Sequence, residues 1–400
     1  MAINDVTRSL SYSTSQSHTS DAIGHAEDMS NVITNIDPEV TLFLNRFGSE
    51  EDATTLKFSW LTEGLQPPGE NAHLEKEDYS SKEIGHLEGL ENNCQRFVNS
   101  YYVTEAQRKV AKVYRPEDEL ARLLEQCSRK HAADIEYALV NNETTNAEQN
   151  KTTPAKTGGV PFFMATQELD VTVGTTDGSI TTTKPHGLET GDFVYFTAKA
   201  MPTGLSAKTI YYIRTDAATP KTKFTIFNTQ KGAVENIAAE QVKPSAAGTS
   251  AKIIKNNVLD LGGTVDYTLD DLNAVMEMAY NRGGNPTHAF MSPAKKRAFS
   301  QLVIAQATSY RDMAKKNKLN LVADVIQTDY GVLTAEAHRM LPDSRIYCMD
   351  MGYWGIKYFL HTRDVPIPKK GSYDERMLET WLGLKCSAPK ASAAIIGIKR

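Results

Sequence analysis

Residues 55–103 read TLKFSWLTEGLQPPGENAHLEKEDYSSKEIGHLEGLENNCQRFVNSYYV. The stretch begins and ends in strict alternation. Leu56, Phe58 and Trp60 share one face of a strand, with Thr55, Lys57 and Ser59 on the other. Phe97, Tyr101 and Val103 share a face opposed by Val98 and Tyr102. Between the two runs lies an acidic segment carrying Glu63, Glu70, Glu75, Glu77, Asp78, Glu83, Glu88 and Glu91, interrupted by Pro67-Pro68-Gly69. The pattern predicts a long two-stranded arm with an elaborate tip. Ten residues of strand reach about 33 Å. An isolated hairpin of that kind is marginal in water and leaves its edges open. The arm is therefore expected to rest on another subunit, with Trp60, Glu70, Glu75, Glu77, Tyr101 and Tyr102 as the contact residues.

Working outward, residues 1–30 carry almost no large apolar side chains and read as an extended arm. Val40, Leu42, Phe43, Leu44 and Phe47 follow Asp37-Pro38 and predict a short helix closing near Gly48. On the other side, Pro116 and the acids Glu117, Asp118 and Glu119 open a helix that runs to about Val140. Its apolar positions, among them Leu120, Leu123, Leu124, Cys127 and Ile135, recur at helical spacing. Residues 168–251 alternate instead, with Val171, Val173, Phe193, Tyr195, Tyr211, Ile213, Phe224 and Ile226. Turn signals at Asp177-Gly178, Gly187, Gly191-Asp192 and Lys231-Gly232 punctuate them, which predicts an inserted β-barrel or sandwich. The flanks 159–164 and 253–266 continue one another, so the insert is expected to be an outer module that a short linker could replace. Thr268 with Asp271 caps a helix stopped by Gly283-Gly284. Ser292-Pro293 opens another. The last stretch is strand-rich: 321–327, 331–337, 345–351, 355–360 and 375–386.

Four hundred residues with 40% hydrophobic content can bury a sizeable core in two to three domains. No apolar stretch is long enough to span a bilayer, and the Ser/Thr-rich start has no secretory pattern. Cys94, Cys127, Cys348 and Cys386 lie far apart, so they read as reduced core residues and not as a metal or disulfide framework. The triplets His73-Leu74-Glu75 and His86-Leu87-Glu88 lack the downstream cysteines of a zinc deaminase and read as solvated loop. Asp324, Asp329 and Asp350 could only with difficulty form a catalytic cluster, since Asp in such places commonly forms turns. Lys184-Pro185-His186-Gly187-Leu188 with Thr190-Gly191-Asp192 is read as a tight turn feeding a strand in preference to a ligand loop. No catalytic residue, metal site or cofactor is expected.

The order of elements resembles the Hong Kong 97-type coat protein of tailed phages. Local wording carries the resemblance further: Asn35-Ile36-Asp37-Pro38, Phe58-Ser59-Trp60, Asn92-Asn93-Cys94-Gln95, Gly283-Gly284-Asn285-Pro286, Ser292-Pro293-Ala294-Lys295-Lys296, Thr328-Asp329-Tyr330-Gly331 and Glu379-Thr380-Trp381-Leu382-Gly383-Leu384-Lys385. The resemblance implies an α+β capsid fold with an N-arm (1–50), extended loop (51–104), spine helix and peripheral domain (105–167), inserted all-β domain (168–251), and axial domain with the remaining peripheral strands (252–400). It also implies a homo-oligomeric shell of hexamers and pentamers in the virion capsid, assembled in the host cytoplasm with a scaffolding protein and portal, and a possible decoration protein. Some relatives crosslink Lys to Asn. Lys76 and Lys82 are candidates by position only, and crosslinking is not expected. The rival readings are a tail or receptor-binding protein with a carbohydrate-binding β domain, and an enzyme with a dispersed carboxylate site.

A shell must enclose double-stranded DNA without gripping it. The chain has 44 basic against 49 acidic residues, and its densest basic run, Lys315-Lys316-Asn317-Lys318, reads as a solvated loop. Phosphate neutralisation needs clustered Lys and Arg. The isolated subunit is expected to bind duplex DNA no better than about 10⁻⁴ M at physiological salt. A fluorescence titration checks this, and micromolar binding abolished by changing the three lysines to Glu would contradict it.

Overall fold

The computed structural model describes residues 41–65, 68, 72–73, 75–76, 85–109, 119–148, 152–206, 209–306 and 324–399. The N-terminal arm, the Pro116 helix start, most of the acidic tip and the Lys315–Lys318 run lie outside the described residues.

At the centre is a six-stranded sheet in the order Val258–Asp260, Ala393–Ile396, Ile346–Met349, His288–Met291, Gly331–Ala337, Val325–Thr328. Its middle strands are buried on both faces. Ala289, Met291, Ile346, Cys348, Ala393 and Ile395 face one core with the helix Leu269–Asn281. Phe290, Tyr347, Met349 and Ala394 face a second core with Phe43, Leu139 and Trp354. Double burial explains why Ile346–Met349 reads as an unbroken apolar run without alternation. The Leu269–Asn281 helix begins with the capping box anticipated at Thr268 and Asp271, both reciprocal bonds being present. Gly283 follows it at φ +79°. A Cβ on Gly284 would stand 2.2 Å from the Ala391 carbonyl, so only glycine fits there.

The second body is a four-stranded sheet. Trp354–Ile367 and Tyr373–Cys386 form an antiparallel ribbon about 48 Å long. Gly48–Ser49 flanks one edge and Gln95–Thr104 the other, and the helix Glu119–Asn141 lies over Gln95–Thr104. The sequence pairs 55–60 with 97–103 as one arm; the structure separates them. Lys57–Leu65 pairs with Gly85–Asn93, while Gln95–Thr104 pairs with Tyr373–Leu382. The true partner was hidden because Gly85–Asn93 (GHLEGLENN) is polar, with two glycines and little β-propensity.

The insert is a closed antiparallel barrel of six strands: Glu168–Val173, Ser179–Thr182, Lys223–Phe227, Ile210–Thr215, Phe193–Thr197 and Lys252–Ile254. Its first and last strands pair with each other, Glu168 opposite Ile254, so the chain enters and leaves at one place. The last strand lies just past residue 251. Ile180, Phe196, Ile213, Phe224 and Ile226 fill the interior. The barrel is not a free module, however. Phe193, Tyr195 and Ile254 belong to the same core as Leu272 and Met276. The buried Arg282 guanidinium donates to the carbonyls of Phe193 (3.2 Å) and Lys255 (2.9 Å) and lies over the Phe193 ring at 4.1 Å. Replacing 168–251 by a linker would strip apolar cover from this core and leave that cation half-bonded. Alternation along single strands could not reveal this, because the outward face of the barrel is itself apolar where it meets the helix.

One buried carboxylate joins the parts. Glu136, fully buried near the end of the Glu119–Asn141 helix, accepts from the backbone N–H groups of Phe43 (2.6 Å) and Leu44 (2.9 Å). It thereby caps the helix Leu42–Arg46, whose own N-cap Thr41 makes no side-chain cap bond. The same carboxylate accepts from His338 Nε2 at 2.7 Å. His338 Nδ1 in turn accepts from Met340 N–H, which fixes the tautomer. Glu136→Ala is expected to cost about 3–5 kcal/mol, because two backbone donors and an imidazole would be stranded in the core. Glu136→Gln, which keeps one acceptor, should cost less. Urea unfolding of the two variants checks both values.

Candidate assembly surface

The hairpin Lys57–Leu65/Gly85–Asn93 stands off the body as a separate two-stranded sheet of nine pairs, about 30 Å long. Its root is built from polar side chains. Asn92 is fully buried, and its Nδ2 donates to the carbonyls of Leu384 (2.7 Å) and Gly158 (3.1 Å) and to Thr157 Oγ1 (3.2 Å). Its Oδ1 accepts from Gly158 N–H (2.8 Å), Asn93 N–H (2.9 Å) and the Thr145 hydroxyl (2.9 Å). Gln95 Oε1 accepts from Asn142 Nδ2 and Thr157 N–H alongside. The Asn92-Asn93-Cys94-Gln95 stretch thus ties the hairpin root to the long ribbon and to the loop after the helix. A buried amide with every lone pair and proton used is stiff.

Alternation then sorts the two faces. Phe58 is buried against Ala53 and Cys94. Trp60 stacks on Phe58, and its Nε1 donates to the Cys386 carbonyl at 3.0 Å. Trp60 is therefore an anchor of the hairpin within its own subunit. Tyr101 is likewise buried, its hydroxyl donating to Asp364 Oδ1 at 3.1 Å. Tyr102 is 63% exposed, edge-on to Tyr373 at the far end of the ribbon. Glu75 lies in an exposed turn, and Glu70 and Glu77 fall outside the described residues. Among the described residues of the six, Trp60 and Tyr101 are held within their own subunit, whereas Glu75 and Tyr102 are exposed.

The outer face carries two residues that sequence reading missed. Leu61 is 70% exposed and Leu87 60%, on the face away from Phe58 and Trp60. Gly89 lies opposite Leu61 and Glu63 opposite Leu87, leaving both leucines uncovered. Continuing the alternation Lys57, Ser59, Leu61 would have found the first. Glu88 on the other face bridges to Lys390 at 3.0 Å.

The remaining candidates resolve into structural roles. Asp324 pairs with Lys296, and Asp350 accepts from the backbone N–H groups of Asn285 and Gly352. His186 Nδ1 accepts from Leu188 N–H, and Asp192 accepts from Glu189 N–H, which builds the turn expected there. All four cysteines are free and buried. Among the described residues no group of three metal-ligating side chains comes together, and no helix is long and apolar enough to cross a membrane.

On the long ribbon, Glu379 is buried and accepts from Arg363 (2.7 Å), Trp381 Nε1 (3.0 Å) and Arg96 (2.7 Å). These bonds, Arg363 first, hold its carboxyl down at about 2. Beside it His131, buried on the helix, donates to Asn99 Oδ1 (2.6 Å) and accepts from the Thr380 hydroxyl (2.7 Å). Burial lowers its pKa and keeps the ring neutral.

The family model described as SU10 major capsid protein matches residues 10–399. No curated protein sequence matches the chain. Among solved structures, the Cyanophage A-1(L) capsid asymmetric unit is similar at TM-score 0.57 and 8% identity, over 96% of this chain and 99% of that one. The capsid of a native GTA particle gives TM-score 0.53 at 10% identity, covering 96% and 98%. A Microbacterium phage Oxtober96 chain gives 0.50 at 10% identity, covering 96% and 99%. At such identities the likeness speaks to the fold: an α+β chain of the Hong Kong 97 type.

Glu379 yields a pH dependence. Its folded pKa lies below the unfolded value of about 4.3. The stabilisation is thus complete above about pH 5 and is lost as pH falls through about 2. Both arginines are half exposed, so screening trims the contribution to about 1–2 kcal/mol. Glu379→Gln should be destabilised by that amount at pH 7, and the gap in urea midpoint should narrow steadily from pH 5 to pH 2. A gap independent of pH would contradict the assignment.

Proposed function

The chain belongs to the SU10 major capsid protein family, and from that membership we propose how it builds the shell of a tailed phage. The carrying observation is the hairpin. It is stiff at the Asn92 root, anchored at Trp60, and apolar on an outer face that none of the described residues covers. Leu61 and Leu87 rest on an adjacent copy, and the acidic loop beyond, with Glu70, Glu75 and Glu77, adds polar contacts there. Tyr102, at the far end of the ribbon, is a second contact point. Each copy gives one arm and receives another, which closes rings of five or six. The axial sheet with its two cores forms the rigid body of the subunit, and the 168–254 barrel is a module welded onto it. A separate scaffolding protein and a portal complete the particle, which assembles in the host cytoplasm around double-stranded DNA that the subunit does not grip. Family membership speaks for a structural role and not for catalysis.

Deleting residues 63–91 leaves Trp60 and Asn92 in place and should give a soluble protein with an unchanged urea midpoint for the body. It should form no closed shells in negative-stain images. Leu61→Asp with Leu87→Asp should have the same effect in milder form. Normal particles from the deletion would refute the role of the arm.

A further inference from the structure

Two stretches prominent in the sequence, Gly283-Gly284-Asn285-Pro286 and Thr328-Asp329-Tyr330-Gly331, meet at one open cleft of about 720 Å³. Tyr280, Asn285, Thr287, Tyr330 and Val332 line it. Tyr280 is 58% exposed and tilts against Tyr330, the ring centroids 5.7 Å apart. Val332, 52% exposed, extends the apolar wall. Carboxylates stand beside the rings. Glu277 accepts from the Tyr330 hydroxyl, and Asp329 sits in the adjoining turn. Burial first, then these two acids, hold the Tyr330 phenol above its usual range, and Glu277 adds to the same effect of burial on Tyr212. Among the described residues, no lysine or arginine forms an ion pair with Glu277 or Asp329. Exposed aromatic faces beside unneutralised carboxylates suit a cationic side chain.

The same chain carries a complementary segment. Lys315-Lys316-Asn317-Lys318 is its densest basic run, within residues 307–323, outside the described residues. Its lysines lie six to nine residues before Asp324, a tether of roughly 20–30 Å. It joins the sheet at Asp324, the end of the edge strand Val325–Thr328 opposite the Asp329–Tyr330 turn. The chain thus enters the sheet at the end of that strand away from its own cleft. We propose that the cleft takes a lysine of the Lys315–Lys318 run from a second copy of this chain, a head-to-tail contact between neighbouring subunits. The inference rests on the chain assembling side by side with its copies.

The test uses particles assembled from an equal mixture of isotopically light and heavy full-length chains, treated with a water-soluble carbodiimide. The reagent activates a carboxylate, and a lysine amine in contact displaces it as an isopeptide, releasing the urea. The expected products join Glu277 or Asp329 to a lysine of 315–318, with about half of the peptide pairs of mixed isotope, as a contact between copies requires. Their yield should fall roughly tenfold in 1 M salt, where exposed ion pairs are screened. Changing the three lysines to Glu should reduce the assembled fraction, and adding Glu277→Lys with Asp329→Lys should restore it. Pairs of like isotope only would place the contact within one chain and overturn the proposal. So would normal particles that give no such isopeptide, or a triple-Glu variant that assembles like the unaltered chain. If the unaltered chain forms no particles at all, the reading of the chain as a shell subunit fails first, and the contact with it.

Discussion

A charge in the middle of a protein must be answered from every side, and Glu136 is answered from three. The short helix Leu42–Arg46 supplies two backbone donors, His338 supplies a ring N–H, and the long helix holds the carboxylate in place. Removing a carboxylate from water costs several kcal/mol, and the cost is recovered only if those partners arrive together. The interaction therefore does more than add stability. It specifies one arrangement of segments far apart in the sequence, because any other packing would leave the charge unpaired. Phe43, which supplies one of the donors, also stacks on Phe47 and meets Phe290 edge-on, so the apolar core closes around the same point.

Much of this fold was legible wherever a local rule decides a local structure. The capping box at Thr268, the strand Gly331–Ala337 and the turns at Gly178, Gly187 and Gly191 each follow from a few adjacent residues. Legibility ended where the partner of a segment is distant. Gly85–Asn93 forms a strand because Lys57–Leu65 lies beside it, not because of its own composition. Trp60 and Tyr101, two large aromatics on what looked like an exposed arm, suggested contacts to another molecule. They turned inward because Cys386 and Asp364, hundreds of residues away, supply hydrogen-bond acceptors. Leu61, an unremarkable leucine in the sequence, is left outside together with Leu87.

The barrel shows a related limit. Its interior is complete by itself, as a true insertion requires, and its ends pair with each other. Yet it shares Phe193, Tyr195 and Ile254 with the neighbouring core and lends the Phe193 carbonyl to a buried guanidinium. A module that begins as an addition can in this way become part of the stability of what it was added to.

The two exposed leucines have a further meaning for how a large shell can be made without errors. Burying a pair of leucine side chains is worth about 3–6 kcal/mol at most, before the entropy of association is subtracted. On the proposed arm contact, a single arm landing on a single neighbour would be a short-lived event. A subunit docked in the wrong orientation would engage few arms and leave again, while one that both gives and receives along a closed ring would be held at several points at once. Modest individual contacts let the growing lattice discard its mistakes and retain only the members that fit on every side.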